Sequence, residues 1–203
     1  MTDALITLNA GSSSIKFAAF RVEAGGLARI ATGLIDGVDD KARFTARTEA
    51  GERAEFTVGA AGDHEATLRA AVDWLHEAEA GCHVVAVGHR VVHGGPDYAE
   101  PMRVDAALLA ALARFNPLAP LHQPHNLAGV EAAMAAFPQA VQVACFDTAF
   151  HRRHPFVSDA FALPLRLYDE GVRRYVMINW MTSDLAAARE LLRHRLSATV
   201  KQA

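Results

Sequence analysis

The sequence predicts an α/β protein built on a mixed β-sheet. Two observations carry this prediction. Residues 4–58 alternate apolar runs with short turns, as consecutive strands do, and the apolar period then changes to that of helices alternating with strands. The chain has 203 residues, a length that suits one large domain or two small ones, and 51% of them are hydrophobic, which is enough for a sizeable core.

The predicted strands of the first part are separated by turns that contain glycine. Apolar runs at 5–8, 15–22 and 28–35 predict three strands. A weaker alternating run over 44–56 is interrupted by a Glu-Ala-Gly-Glu segment, which is typical of a hairpin turn.

Helical periodicity begins with Asp63, a suitable N-cap residue. Apolar residues at positions 68, 71, 72 and 75 then share one face of a helix that we expect to end near Gly81. The later elements are predicted in this order: a buried strand at 84–87, helices over 104–115 and 126–137, and a second buried strand at 141–146.

Charge and composition exclude several classes of function. The net charge is -3 and the pI is near 6.3, so neither nucleic acid nor an acidic membrane surface is an expected partner. No apolar run approaches the roughly 20 residues of a membrane span, and no signal-like segment opens the chain. Cys82 and Cys145 lie in separate apolar runs, which favours reduced, buried thiols. We therefore expect a cytoplasmic protein.

The segment Asn-Ala-Gly-Ser-Ser-Ser-Ile-Lys at 9–16 is suited to binding phosphate. It joins two predicted strands, and glycine-turn N–H groups, hydroxyls and a lysine can all contact phosphate oxygens. Serine-rich turns are common, so the segment alone is only suggestive. The Gly-x-x-x-x-Gly-Lys-Ser/Thr loop is absent, which excludes a P-loop enzyme.

Three further segments make the interpretation specific: Val-Gly-His-Arg-Val-Val-His-Gly-Gly at 87–95, Pro-Leu-Ala-Pro-Leu-His-Gln-Pro at 117–124 and Phe-Asp-Thr-Ala-Phe-His at 146–151. In this order, the four segments resemble the acetate kinase family over about Leu5 to Tyr175. The resemblance implies a ribonuclease H-like fold of the actin, sugar-kinase and Hsp70 type, in which ATP binds between two domains. It also implies that acetyl phosphate is made from acetate and Mg-ATP.

The resemblance further implies which residues would handle the acetate and the transferred phosphoryl group. Arg90 would bind the acetate carboxylate or the phosphoryl group, and Val92 and Leu121 would line a pocket for the substrate methyl. His122 would donate toward the phosphoryl group. Asp147 would accept a proton or position the site. Because a carboxylic acid titrates near pH ~4, acetate is already ionised at neutral pH and has no proton to remove, so orientation, or holding Mg²⁺ through water, is the more economical role for Asp147.

On the nucleotide side, the resemblance implies that Asn9 lies near Mg²⁺, directly or through water. Lys16 and Ser12 would contact the ATP phosphates. Each of the polar side chains also has a purely structural alternative. Arg90 could form a structural ion pair, His122 could be solvated or capping, Asp147 could cap a turn, and Asn9 could fix the turn that follows it. The sequence leaves these alternatives open.

His89 and His93 are four residues apart and could suggest a metal pair. No carboxylate or cysteine at ligand spacing joins them, so hydrogen-bonded structural histidines are the favoured interpretation.

The end of the chain departs from the family pattern. The resemblance implies a Gly-Phe-His-Gly motif after Tyr175, but the sequence continues Val-Met-Ile-Asn-Trp, without the family's catalytic histidine. We predict a family-like domain over 1–175 and a divergent tail over 176–203 with one amphipathic helix at 183–196. The family's second domain and dimer contact are expected to be missing. Two hypotheses follow: an acetate kinase-type phosphotransferase, or a truncated, non-catalytic N-terminal half with at most weak anion binding.

Overall fold

The computed structural model describes residues 2–37, 41–58, 64–78, 82–151, 155–156 and 162–170. Within these residues the first five strands follow one another directly, as β1 (Thr2–Ala10), β2 (Ser14–Glu23), β3 (Gly26–Asp36), β4 (Ala42–Thr48) and β5 (Arg53–Val58). The later part alternates helices and strands, as α1 (His64–Ala78), β6 (Cys82–Val91), β7 (Met102–Arg103), α2 (Ala106–Ala113), α3 (Gln123–Ala136), β8 (Val141–Phe146) and α4 (Leu165–Asp169).

All the described strands belong to one mixed sheet, in the order β5-β4-β3-β2-β1-β6-β8-β7. The first five strands pair antiparallel with their neighbours, whereas β1, β6 and β8 run parallel. The short strand β7 pairs antiparallel with β8 at the edge. Parallel neighbours end at the same edge of a sheet, so the residues that follow β1, β6 and β8 are brought close together.

The main core lies between one face of the sheet and helices α1 and α3. Phe17 and Phe44 are 3% and 0% exposed, and their rings stack with centroids 5.9 Å apart. Trp74 of α1 packs edge-on against Phe17 and is tilted against Phe44. Gly33 makes room for this packing, because a Cβ there would overlap the Phe17 ring. Burying several large rings in one cluster anchors the antiparallel half of the sheet.

A second cluster lies beneath the ends of the parallel strands. It joins β6 and β8 to helices α2 and α3 through Val91, Val104, Leu108, Leu112, Leu127, Val130, Ala144 and Phe146. Asp105 caps α2 by accepting a hydrogen bond from the Leu108 N–H group at 2.8 Å. This cluster fixes the ends of β6 and β8, near which the polar segments of the sequence lie.

The predicted α/β class and mixed sheet are confirmed, and each predicted strand and helix up to 146 is present. Two helix starts differ from the sequence prediction: α2 begins at Ala106 rather than 104, and α3 begins at Gln123 rather than 126. The two-residue strand β7 was not predicted.

Both cysteines are free, but each is only partly buried, whereas the sequence favoured buried thiols. The predicted helix at 183–196 lies outside the described residues. No helix in the described ranges is long and apolar enough to cross a membrane.

Candidate functional site

The strand register brings Asn9, Arg90 and Asp147 to one edge of the sheet. The last backbone pair between β1 and β6 is Leu8 opposite His89, so Asn9 and Arg90 are the next residues of their strands. Asp147 directly follows β8, the parallel neighbour of β6. Three polar side chains from distant parts of the sequence thus meet where three parallel strands end.

Hydrogen bonds join these three side chains. The Nε–H group of Arg90 donates to both carboxylate oxygens of Asp147 at 3.0 Å, and Nη2 donates to Oδ2 at 2.5 Å. Nη1 donates to the Asn9 Oδ1 atom at 3.2 Å. The three side chains therefore form one connected group. A guanidinium carries five N–H donors. Because three are used here, one donor remains on each terminal nitrogen, Nη1 and Nη2.

Burial dominates the electrostatics of Asp147. Its side chain is 5% exposed, and burial raises its pKa above the ordinary 3.8. The hydrogen bonds and charge of Arg90 oppose this rise, as does the charge of His122. His122 is exposed and occupies the cap position before α3, although its side chain makes no capping hydrogen bond there.

One backbone N–H group of the turn between β1 and β2, which the sequence suggested for phosphate binding, is used within the turn itself. The Gly11 N–H group donates to the Ser14 carbonyl at 2.8 Å, so it closes the turn instead of pointing outward. The Ser13 carbonyl accepts from the Gly37 N–H group at 2.9 Å, which ties the turn to the end of β3. Ser12 and Ser13 are left to supply the N–H and hydroxyl groups that an anion would contact.

Lys16 lies on the same face of the sheet as Asn9. The two residues are directly opposite in the β1–β2 ladder, and opposed residues of an antiparallel pair point to the same face. Lys16 is exposed and lines a groove of about 620 Å³ on the antiparallel half of the sheet. Arg90 and Asp147 do not line this groove, so it is a separate feature of the surface.

The two residues predicted to contact the substrate methyl have opposite environments. Val92 is 2% exposed, whereas Leu121 is 72% exposed in the loop before α3. A pocket formed by both would need a further surface to cover Leu121. This pocket stays a prediction.

The two histidines of the 87–95 segment are structural, as the sequence favoured. His89 is buried, and its Nε2 atom is 2.8 Å from the Gln142 Oε1 atom. His93 is also buried, accepts the Gly95 N–H group at Nδ1, and stacks on Phe115 with ring centroids 5.1 Å apart. Neither histidine belongs to a metal-binding cluster among the described residues.

Three buried polar side chains near the site were overlooked at the sequence level. Gln123 and Asn126, on the first turns of α3, contact the backbone of residues 92–93, and Thr148 accepts the Gly94 N–H group at 2.9 Å. The sequence held a usable signal. Two amide residues spaced three apart at a helix start lie on one face.

The described residues do not form a direct ligand set for Mg²⁺. They contain no group of three or more acidic, histidine or cysteine side chains placed to hold a metal. The Asn9 oxygen and both Asp147 oxygens face the Arg90 guanidinium, whose positive charge would repel a cation bound to them. Magnesium prefers one or two carboxylates together with substrate phosphates and water. Direct ligation by this set alone does not fit.

Comparison with known proteins gives a consistent picture. Residues 4–184 match the Acetokinase family. The match therefore extends past Tyr175, where the resemblance was expected to end. An acetate kinase of Methylocella silvestris is 49% identical over 187 residues, covering 86% of this chain and 46% of that protein.

Solved structures agree with the sequence relatives. A propionate kinase from Francisella tularensis subsp. tularensis SCHU S4 superposes with a TM-score of 0.74 at 30% identity, covering 86% of this chain and 45% of that one. Porphyromonas gingivalis acetate kinase gives a TM-score of 0.74 at 28% identity, covering 98% and 48%. The fold class that the resemblance implied is confirmed. The chain spans just under half the length of the relatives it matches. It belongs to the acetokinase family.

Proposed function

We propose that this chain supplies the acetate- and phosphoryl-binding residues of an acetate kinase-type phosphotransferase. The reaction is the reversible formation of acetyl phosphate and ADP from acetate and Mg-ATP. The observation that carries the proposal is the Arg90 guanidinium, held by Asp147 and Asn9 with one N–H donor left on each terminal nitrogen. Two such donors match the two oxygens of a carboxylate or of a phosphoryl group.

The chemistry requires positioning more than proton transfer. A carboxylate oxygen of acetate attacks the γ-phosphorus, and the bond from that phosphorus to the β,γ-bridging oxygen breaks. ADP leaves with the electron pair of that bond. Acetate is ionised at neutral pH, because a carboxylic acid titrates well below pH 7, so no base has to remove a proton. In-line placement and neutralisation of charge then supply most of the rate enhancement.

Each predicted residue has a role in this scheme. Asp147 orients Arg90, because its carboxylate accepts hydrogen bonds from Nε and Nη2. In this scheme Asp147 does not accept a proton from the substrate. Arg90 binds the acetate carboxylate or the phosphoryl oxygens, and His122 stabilises the transferring phosphoryl group. Val92 and Leu121 contact the substrate methyl.

The nucleotide phosphates bind at the turn after β1. Ser12 and Lys16 contact phosphate oxygens, and Asn9 lies beside them on the same face of the sheet as Lys16. Mg²⁺ bound to the ATP phosphates would neutralise their charge, and Asn9 is the residue that would contact it, through water. ATP is abundant in the cytoplasm, and we propose that compartment.

A second candidate is a non-catalytic N-terminal half that binds phosphate or another small anion weakly. The match covers 46% of the Methylocella silvestris acetate kinase, so this candidate concerns the 203 residues acting without the remaining part of such an enzyme.

Two proteins separate the candidates. The first is the 203-residue chain, and the second is this chain through Tyr175 joined to the remaining part of the Methylocella silvestris acetate kinase. Both are incubated with acetate and Mg-ATP, and acetyl phosphate is trapped with hydroxylamine. We expect product from the joined enzyme, none from its Arg90→Ala variant, and none from the chain alone. A folded but inactive joined enzyme would contradict the proposed residues. Product from the chain alone would exclude the non-catalytic candidate.

A further inference from the structure

We propose that Asn126 is a positioning residue that sets the distance between the ends of β1 and β6, and thereby keeps Asn9 within hydrogen-bonding distance of Arg90. The inference deepens the proposed function, on which its catalytic consequence rests. Its structural part is tested without any measurement of activity.

The Asn126 side chain bridges two strand ends. It is 3% exposed and lies on the first turn of α3. Its Nδ2 atom donates to the Ala10 carbonyl at 2.5 Å, and its Oδ1 atom accepts the Val92 N–H group at 2.9 Å. Ala10 directly follows Asn9, and Val92 lies two residues after Arg90. One amide therefore connects the segments that carry both site residues.

The bridge lies just beyond the point where the backbone ladder stops. The last β1–β6 pair is Leu8 opposite His89. A side-chain amide offers one donor and one acceptor that can complete the bonding of two strands, as a peptide group does. It also holds the strands apart by its own width. Without it, the buried Ala10 carbonyl and Val92 N–H group would lose their partners, which costs roughly 1–3 kcal/mol for each unsatisfied group.

A second contact fixes Ala10 from the same helix. Gly129 lies one turn after Asn126, and a Cβ atom at this position would be 2.5 Å from the Ala10 Cβ atom. Helix α3 therefore packs so closely against the end of β1 that position 129 has no room for a side chain. Ala10 is held by a hydrogen bond on one side and by direct packing on the other, so its position depends on α3.

The bond between Arg90 and Asn9 is the contact most sensitive to this spacing. At 3.2 Å it is at the upper end of the normal range for an N–H···O bond. The contact between Arg90 and Asp147 does not involve β1. Its N···O distances of 2.5–3.0 Å can also lengthen further than the Arg90–Asn9 distance before the hydrogen bonds are lost. Loss of Asn126 should therefore release Arg90 from Asn9 while leaving Arg90 bound to Asp147.

The test uses Asn126→Asp in the 203-residue chain. Aspartate keeps the shape and the acceptor for Val92, but it cannot donate to the Ala10 carbonyl. Nitrogen-15 NMR at low temperature reports the Arg90 Nε–H and Nη–H groups separately. We expect the Nη1 proton that bonds Asn9 to exchange with water at least about tenfold faster, because this bond is lost, whereas the Nε–H and Nη2 protons bonded to Asp147 stay protected.

A matched control separates positioning from a general loss of stability. Gln142 is another buried amide, and its hydrogen bonds go to His89 and to the Phe137 and Ala140 carbonyls rather than to Ala10 or Val92. Gln142→Leu should lower the unfolding midpoint but leave exchange of the Arg90 Nη protons unchanged. Gly129→Ala is the second test variant. It displaces Ala10 without altering Asn126, and it should reproduce the faster exchange if Asn126→Asp does not fold.

Three outcomes would overturn the inference. One is Nη exchange in folded Asn126→Asp that equals the wild type. Another is equally fast exchange in Gln142→Leu. The third is wild-type exchange in Gly129→Ala.

In the joined enzyme, Asn126→Asp should also lower kcat/KM for acetate about tenfold, and Gln142→Leu should lower it less than about threefold. The expected NMR result with an inactive joined wild type would refute the proposed function alone.

Discussion

The Nε–H group of Arg90 lies 3.0 Å from each carboxylate oxygen of Asp147, a residue 57 positions later in the chain. The Arg90 and Asp147 side chains are only 17% and 5% exposed, so both charges are largely removed from water. A pair in this environment depends on both of its members, because removing one leaves the other charge buried without a partner.

We therefore expect Arg90→Ala and Asp147→Ala each to lower the free energy of unfolding by about 3–5 kcal/mol. The double variant should lose less than the sum by at least about 1 kcal/mol. Urea unfolding of the four proteins measures this coupling. The exposed pair Arg29–Glu49, at 2.7 Å, is the control, and its coupling should stay below about 1 kcal/mol. A coupling at Arg90 no larger than at Arg29 would contradict the prediction.

Replacing Arg90 with lysine tests the guanidinium geometry rather than the charge. Lysine is a point charge, and one ammonium cannot contact Asp147, Asn9 and a substrate in the same arrangement. In the joined enzyme, Arg90→Lys should lower kcat by about 10²–10³-fold. Arg43→Lys is the control, because Arg43 pairs with Glu55 on the exposed outer strands. Near-wild-type turnover by Arg90→Lys would mean that Arg90 is only structural.

The convergence of Asn9, Arg90 and Asp147 was predictable because each follows or ends an apolar strand-like run. Parallel neighbouring strands end at one edge, so local patterns were sufficient to place these three residues together. The position of Asn126 was not predictable in this way. Its contact with Ala10 joins residues 116 positions apart, and it depends on how α3 crosses the sheet. No periodic pattern in the sequence contains that information.

The start of α3 was misplaced for a related reason. The Pro-Leu-His-Gln-Pro segment favours a loop, and the sequence therefore predicts that the helix begins at 126. Proline is compatible with the first turn of a helix, however, since the missing N–H group has no partner there in any case. Gln123 is also stabilised as a helical residue by tertiary contacts, because its side chain bonds both the N–H and C=O groups of His93.

Gly95 should be essential for the turn that follows Arg90. Its φ angle is +64°, and a Cβ atom there would overlap the Phe115 ring, which stacks on His93. Gly95→Ala should therefore lower the free energy of unfolding by about 2–4 kcal/mol. Gly25→Ala is the control, since a Cβ at Gly25 meets no atom within 4 Å, and it should change stability by less than about 0.5 kcal/mol. Equal urea midpoints for the two variants would refute this account of the turn.

Gly11 tests the proposed phosphate site. A Cβ atom at Gly11 would lie 3.3 Å from the Ser14 carbonyl oxygen, so a branched side chain has to distort the turn or block the approach of an anion. We expect the wild-type chain to bind pyrophosphate weakly and Gly11→Val to bind none, as measured by calorimetry. Gly25→Val, in the turn after β2, should bind as the wild type does. Unchanged binding by Gly11→Val would exclude this turn as the site.

His89 should make the stability of the fold depend on pH. Burial lowers its pKa from 6.5 to about 4, although the hydrogen bond with Gln142 acts in the opposite direction. Between these two values the unfolded chain binds a proton at His89 that the folded chain does not. The free energy of unfolding should therefore fall as pH drops from 6.5 toward 4, by about 3 kcal/mol in total, and the full contribution of His89 is present above pH 6.5.

The variant His89→Gln isolates this contribution, because glutamine can still donate to Gln142 but cannot titrate. Urea unfolding of both proteins at about pH 7.5, 6.5, 5.5 and 4.5 gives the difference between their pH dependences. Asp147, whose raised pKa acts in the opposite sense, is present in both proteins and largely cancels from that difference. We expect the wild type to lose about 1 kcal/mol more than the variant for each pH unit below 6.5. Parallel curves would show that the pKa of His89 is the same in the folded and the unfolded chain, and that the bond to Gln142 compensates for its burial.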